Sequence, residues 1–315
     1  MAQTRVCFFG TPELSARCLD ALIKNFDVKL VVTGKDKPFG RGRKLQPSPV
    51  KKLALEKNIP VIHPERFDNG FQKMIDDEGI DLIVVVAYGR ILPGSVIFKP
   101  RYGSINFHAS LLPKYRGPSP IQSVFLDGEK KTGITIQRMA EEMDSGDILK
   151  TLEIKIPDKW NAEDLLNHIT EIGPDFLVQT IEEYLDGKLH PVRQNDREAT
   201  YCRIIKKEDG IINWNEDAET IVRKIKAFSI WPVARTLLDG KKLLIYRAEK
   251  IENQDSSDVP GEVIIANQKD GIIVKCGKNL ISILELQLEN KKRMDYKSFI
   301  NGYRNLLGKV FEKPL

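Results

Sequence analysis

The sequence predicts an α/β protein: a doubly wound, mainly parallel, Rossmann-like sheet, then a linker, then a small OB-like β-barrel at the C-terminus. Three observations point there. Short apolar runs alternate with helical patterns up to about residue 185, as βα units on a parallel sheet do. One run, residues 80–88, is almost unbroken Ile and Val, the mark of a strand buried on both faces. Five short strand-like runs split by Gly and Asp fill about the last hundred residues, which suits a small barrel. A length of 315 residues fits two domains. We expect the first at 1–189, a linker at 190–207 and the second at 208–315.

The first run, RVCFFG at 5–10, ends in Gly, and Leu14, Cys18, Leu22 and Ile23 then recur at helical spacing. Residues 28–34 are the next strand pattern. Ser48 can cap a helix whose first turn holds Pro49. Residues 59–62 read as a strand, 67–77 as a helix, 104–108 as a strand and 119–126 as a helix. Residues 132–139 and 149–156 alternate apolar and polar around a turn at Asp144-Ser145-Gly146, so an antiparallel pair at a sheet edge is expected. Residues 162–185 read as helical with a break near Gly173-Pro174. From 187 to 207 there is no period, hence the linker. A helix at 218–228 precedes strands at 236–238, 242–248, 261–266, 271–276 and 280–288.

The composition excludes several classes. The longest apolar run is too short to span a bilayer, and the first residues lead straight into a strand pattern rather than a secretory signal. Cys7, Cys18, Cys202 and Cys276 are widely spaced with no CxxC, so neither a disulfide framework nor a zinc site is expected. A reduced, cytoplasmic protein is the expectation. GTPELS after the first strand is not GxGxxG, which argues against a dinucleotide site. The net charge is +5 and unevenly spread. Residues 35–52 hold seven bases (Lys35, Lys37, Arg41, Arg43, Lys44, Lys51, Lys52) and one acid, Asp36. Residues 191–315 hold 23 bases and 18 acids. That asymmetry points to a polyanionic partner as readily as to a solvated basic surface.

The stretch SINFHASLLPKYRGPSP, 104–120, carries the chemistry. Asn106 and His108 are two apart, so on a strand they share a face. The strand's carboxyl end is where open α/β sheets place ligands. An amide N–H and an imidazole there can donate to one developing oxyanion. A carboxylate near His108 would favour its charged form and hold its orientation. Asp144 offers one in a turn, Asp147 is the rival, and Asp-Ser-Gly is also plain turn chemistry.

The run N-F-H-A-S-L-L-P-K-Y-R-G with D-S-G-D about forty residues later resembles the signature of the folate-dependent formyltransferases. The resemblance implies catalytic roles for Asn106, His108 and Asp144 and 10-formyltetrahydrofolate as co-substrate. It implies a folate site at Ser110, Leu111, Leu112 and Pro113, with Val86, Ala87, Tyr88 and Gly89 lining the same pocket. No metal is needed, because hydrogen bonds can polarise the formyl carbonyl. Three features resemble the branch that formylates methionine on initiator tRNA: the opening FFGTPELSARCLDAL, the barrel with its basic surplus, and KDKPFGRGRKLQPSPVK. The last is similar to that branch's acceptor-stem loop, which implies tRNA contacts from Lys37, Arg41, Arg43 and Lys44. Ser229-Ile230-Trp231-Pro232 departs from the branch's usual Asn-Pro-Trp-Pro. A monomer without membrane contact is expected. Rival readings are an amino-sugar formyltransferase, a formyltetrahydrofolate hydrolase and a non-catalytic RNA binder.

Overall fold

The computed structural model describes residues 3–39, 44–252 and 259–314. The chain divides into two compact units, one of Met1–Pro120, Lys131–Lys155 and Leu166–Arg203, the other of Ile121–Lys130, Ile156–Leu165 and Ile204–Leu315.

The first unit starts with β1 (Arg5–Gly10), α1 (Glu13–Asn25) and β2 (Asp27–Val32). A short antiparallel hairpin, β3 (Lys37–Phe39) and β4 (Lys44–Gln46), precedes α2 (Pro49–Glu56). Ser48 caps α2, accepting from the Lys51 N–H at 3.0 Å, and Pro49 takes the first turn where its missing N–H costs nothing. Then come β5 (Val61–Ile62), α3 (Asn69–Asp77), β6 (Leu82–Val86), α4 (Gly94–Ile97) and β7 (Ser104–His108). Helix α5 (Pro120–Leu126), counted in the second unit from Ile121 on, leads to β8 (Lys131–Arg138) and β9 (Ile148–Lys155) of the first, and the long α6 (Ala162–Leu185) belongs to the first unit from Leu166 on.

The sheet order is β5-β2-β1-β6-β7-β8-β9. The pairs from β5 to β7 are parallel, and β7-β8 and β8-β9 are antiparallel. The alternation read from the sequence at 132–139 and 149–156 is therefore the antiparallel edge. Every residue of β6 is buried, as its apolar run requires. The chain turns back on itself between β1 and β6, and the carboxyl ends beside that switch are where a ligand has access.

Helix α6 corrects the expected break at Gly173-Pro174: it is continuous, with Pro174 inside it. Ile169, Leu177 and Ile181 form one fully buried stripe through the proline. Burying three such side chains outweighs the roughly 3 kcal/mol that an interior proline costs. A Cβ on Gly173 would lie 2.7 Å from the Phe107 ring, so glycine lets the helix settle onto β7.

The second unit has α7 (Ala218–Ala227), β10 (Ala234–Leu238), β11 (Lys241–Ile251), β12 (Val263–Asn267), β13 (Gly271–Lys275), β14 (Leu280–Leu288), β15 (Met294–Asp295) and α8 (Tyr296–Gly302). The strand order β10-β11-β14-β13-β12 is antiparallel throughout. Residues 310–312 link its two ends: Leu237 and Glu312 exchange backbone bonds of 2.9 and 3.0 Å, and Glu262 bridges Val310. This tail closes the barrel, leaving fewer open edges. Phe311 sits 2% exposed with its ring 5.5 Å from that of Trp214. The sequence reading missed α4, α8 and the short strands β3, β4 and β15, all too short to show a period.

Among the described residues no helix is long and apolar enough to cross a membrane. All four cysteines are free and buried.

Phe311→Ala should lower the stability of the chain's second unit by about 3–5 kcal/mol. Leu307→Ala, at a position 67% exposed, should change it by less than about 0.5 kcal/mol. Urea unfolding of the two variants beside the parent checks this.

Candidate active site

Strand β7 ends in Asn106-Phe107-His108, and its register on β8 pairs Asn106 with Gln137. The two amides stand side by side and both aim at Asp144. Asn106 Nδ2 donates to Asp144 Oδ1 at 3.2 Å, and Gln137 Nε2 donates to the same oxygen at 3.1 Å. The other oxygen, Oδ2, accepts from the Gly117 N–H at 2.8 Å. His108 Nδ1 lies 3.6 Å from Asp144 Oδ1. The three residues singled out in the sequence are therefore one cluster at the carboxyl edge of the sheet. Asp147, the rival carboxylate, spends its backbone carbonyl on the Arg138 N–H.

Two features set the histidine's chemistry. Its Nε2 lies 2.9 Å from the Tyr115 carbonyl oxygen. A carbonyl only accepts, so Nε2 carries a proton and Nδ1 is the nitrogen that can gain or lose one. Nδ1 is also the nitrogen facing Asp144. Asn106 has two amide N–H groups, and the bond to Asp144 uses one of them.

The loop after β7 is built around these contacts. Ser110 Oγ donates to the Lys114 carbonyl at 2.7 Å, and Thr135 Oγ1 donates to the Ser110 carbonyl while accepting from the Leu112 N–H. Ser110 and Leu112 thus spend polar groups on the turn itself. Leu111 lies across β8, where a Cβ on Gly133 would come within 2.4 Å of it. Pro113 stays half-buried. At Gly117, φ is +121° and a Cβ would sit 2.4 Å from the Cys202 carbonyl oxygen. Glycine is required there for the N–H to reach Asp144.

The second predicted lining, after β6, splits by burial. Val86 is fully buried and its carbonyl accepts from Ser15 Oγ at 2.6 Å. The Tyr88 ring goes into the core, edge-on to Phe9 at 5.3 Å. Burial is what first pushes the Tyr88 phenol upward. Ala87 and Gly89 are exposed with φ of +46° and +79°, and nothing stands near Gly89 on its open side. A sharply turned backbone with apolar flanks suits a flat heterocycle that needs surface and edge hydrogen bonds.

Several residues here carried no signal in the sequence: Gln137, Thr135, Gln194 and Thr200; Arg116 and Gly117 close the N-F-H-A-S-L-L-P-K-Y-R-G run but had no role assigned. Residues 192–202, aperiodic in sequence, are tied to the site by backbone bonds. Arg116 N donates to the Thr200 carbonyl, Cys202 N to the Arg116 carbonyl, and Val192 exchanges bonds with Ile148. Their partners lie 80 or more residues away for Thr200 and Cys202, which no local pattern reveals. Arg116 is 2% exposed. Burial works against its charge, but bonds to Asp196 and Tyr201 outweigh that and raise its pKa.

Of the expected tRNA contacts, Lys37 is exposed on β3 and Lys44 begins β4, whereas Arg41 and Arg43 lie outside the described residues. Two neighbouring bases are paired: Lys35 with Glu65 at 2.7 Å and Lys51 with Asp36 at 2.8 Å. Among the described residues no group of His, Cys, Asp and Glu is arranged to hold a metal ion.

Comparison with known proteins shows the family. Residues 4–181 match the family described as formyl transferase, and residues 204–304 match the formyl transferase C-terminal domain. The chain is 41% identical over 308 residues to a methionyl-tRNA formyltransferase of Carboxydothermus hydrogenoformans, covering 98% of this chain and 99% of that one. It is 38% identical over 305 residues to a Staphylococcus aureus protein of the same name, covering 96% and 98%. Among solved structures, HypX from Aquifex aeolicus in complex with tetrahydrofolic acid shares the fold, with a TM-score of 0.64 at 18% identity over 97% of this chain and 48% of that one.

Gly117→Ala should destabilise the protein by more than about 1 kcal/mol, since left-handed backbone and a carbonyl collision coincide. It should also cost activity by moving the N–H off Asp144. Gly187→Ala is the control, with φ of +70° but open space around it. Only the first should lose turnover, read by melting temperature and formyl transfer together.

Proposed function

We propose that this chain, which belongs to the formyl transferase family, transfers the formyl group of 10-formyltetrahydrofolate to the amino group of methionyl-tRNA. The observation that carries the reading is the convergence of Asn106 and His108 on Asp144 at 3.2 and 3.6 Å. Similarity to methionyl-tRNA formyltransferases along almost the whole chain supports the choice of acceptor. Within that reading the acceptor is initiator methionyl-tRNA, the product serves translation initiation, and the enzyme works in the cytoplasm as a monomer.

The folate supplies an activated formyl group, and the residues here do the rest. The amine attacks the formyl carbon, and the carbonyl oxygen gains negative charge. The free N–H of Asn106 donates to that oxygen. His108 donates from Nδ1 when it carries its second proton, or takes the amine's proton there when it does not. Either way the Asp144 carboxylate faces that nitrogen at 3.6 Å and holds the ring's orientation. Collapse breaks the bond to the folate nitrogen, which leaves with a proton. The amine is already a nucleophile, so no covalent enzyme intermediate is involved. Ala87, Gly89 and Leu111 offer the folate surface and backbone edges. Lys37, Arg41, Arg43 and Lys44 engage the acceptor stem through phosphates.

Asn106→Ala and His108→Ala should each reduce kcat by about 10²–10³, the usual loss for one oxyanion donor. Circular dichroism and melting should change little. Turnover near the parent value in either variant would remove its catalytic role. Arg41→Ala should weaken tRNA use while sparing folate binding, and equal damage to both would remove the loop's assignment. Formyl transfer measured with initiator methionyl-tRNA, elongator methionyl-tRNA and no acceptor tests the whole reading. Product with the initiator alone supports it. Formate release without acceptor would instead indicate the hydrolase.

A further inference from the structure

We propose that Gln194 is a positioning residue of this reaction, holding the Asp144 turn so that its carboxylate meets Asn106 and His108. The proposal rests on the reading of Asp144 as the reaction's carboxylate.

Gln194 is 5% exposed and lies in the aperiodic segment after α6. Its Nε2 donates to the Asp144 carbonyl at 2.8 Å and to the Gly146 carbonyl at 2.7 Å, and lies 3.3 Å from Gln137 Oε1. Its Oε1 accepts from Arg116 Nε and Nη2 at 3.0 and 2.9 Å. The chemistry dictates this orientation, because the guanidinium only donates and the carbonyls only accept. A single amide therefore ties both ends of the turn at Asp144-Ser145-Gly146.

That turn needs holding. Asp144 has φ of +53°, a sparsely populated region that persists only where the surroundings enforce it. Gln194 enforces it from the backbone side. Gln137 acts on the carboxylate side, donating to Oδ1. Arg116, on the far face of Gln194, immediately precedes Gly117, whose N–H holds Oδ2. Gln194 thus joins the two loops that meet at the carboxylate. Val192, two residues before it, exchanges backbone bonds of 2.8 Å with Ile148 and anchors the segment. A glutamine that served only packing would not place its donors on the catalytic turn and its acceptor on the residue beside the other carboxylate donor.

Gln194→Glu is the decisive variant. It keeps size and the acceptor facing Arg116, but sets a carboxylate oxygen against two carbonyl oxygens. With full-length protein, 10-formyltetrahydrofolate and methionyl-tRNA, kcat should fall about 10²-fold, the scale of an ångström-level misplacement. KM for the tRNA should stay within about threefold, because the lost interaction is made in the transition state. A double-mutant cycle with Asp144→Asn is the second measurement. If Gln194 acts through Asp144, the double variant should be no slower than Asp144→Asn alone. A kcat within about threefold of the parent, a loss confined to KM, or additive losses in the cycle would overturn the proposal. Parent-like turnover in Asp144→Asn would overturn the underlying reading of Asp144 instead.

Discussion

A carboxylate that is 12% exposed has to find partners, and Asp144 finds them from three places in the chain. A buried, unpaired carboxylate costs several kcal/mol. Hydrogen bonds to an ionised group contribute about 1.5–3 kcal/mol each. Asn106 comes from a parallel strand's end, Gln137 from the antiparallel neighbour and Gly117 from the loop between them. The first two reach it together only because Asn106 and Gln137 are register partners. A slip of one residue would exchange the amides for the apolar Phe107 and Ile136 on that face. The apolar faces of β7 and β8 therefore specify the polar geometry: burying Phe107 and Ile136 in the core leaves the two amides on the side of Asp144.

The same logic extends to His108. It is 5% exposed, and the Tyr115 carbonyl occupies its far nitrogen. Tyr115 can present that carbonyl because φ at Tyr115 is +61°, which folds the loop back over the strand it has just left. The loop is held there by Thr200 Oγ1, which accepts from the Tyr115 N–H at 2.9 Å. Left-handed residues at 87, 115 and 144 all lie around one edge of the sheet. Such backbone costs on the order of 1–3 kcal/mol each. Its concentration here is what turns two loops and a strand end into a cluster with defined donors.

How much of this was legible in the sequence depends on the range of the interaction. The apolar run of β6 and the alternation of β8 and β9 are local, and they yielded the sheet, its parallel core and its antiparallel edge. Asn106 and His108 were visible because two residues on one strand share a face. Their meeting with Asp144 across 38 residues was read through a family resemblance rather than a local rule. Gln194 and Thr200 were not legible at all, since they act on partners 48 to 85 residues away from a segment with no period. Helix α6 failed the reading for the opposite reason. A strong local signal, Gly-Pro, was overridden by a tertiary one, the buried stripe of Ile169, Leu177 and Ile181.

On the proposed reading, chemistry and capture work at different distances and so fall to different residues. Every group around Asp144 belongs to the first unit and acts over about 3 Å. Phosphates are felt across a Debye length of about 8 Å at physiological salt. Bases at 35–52 and in the surplus after 191 can therefore act on a polyanion without touching the reacting atoms. The carboxylate of Asp144 would repel a phosphate brought too close. An amine at the end of a polyanion can then reach a carboxylate-centred site because the backbone charges are held elsewhere, by residues that have no part in the bond being made.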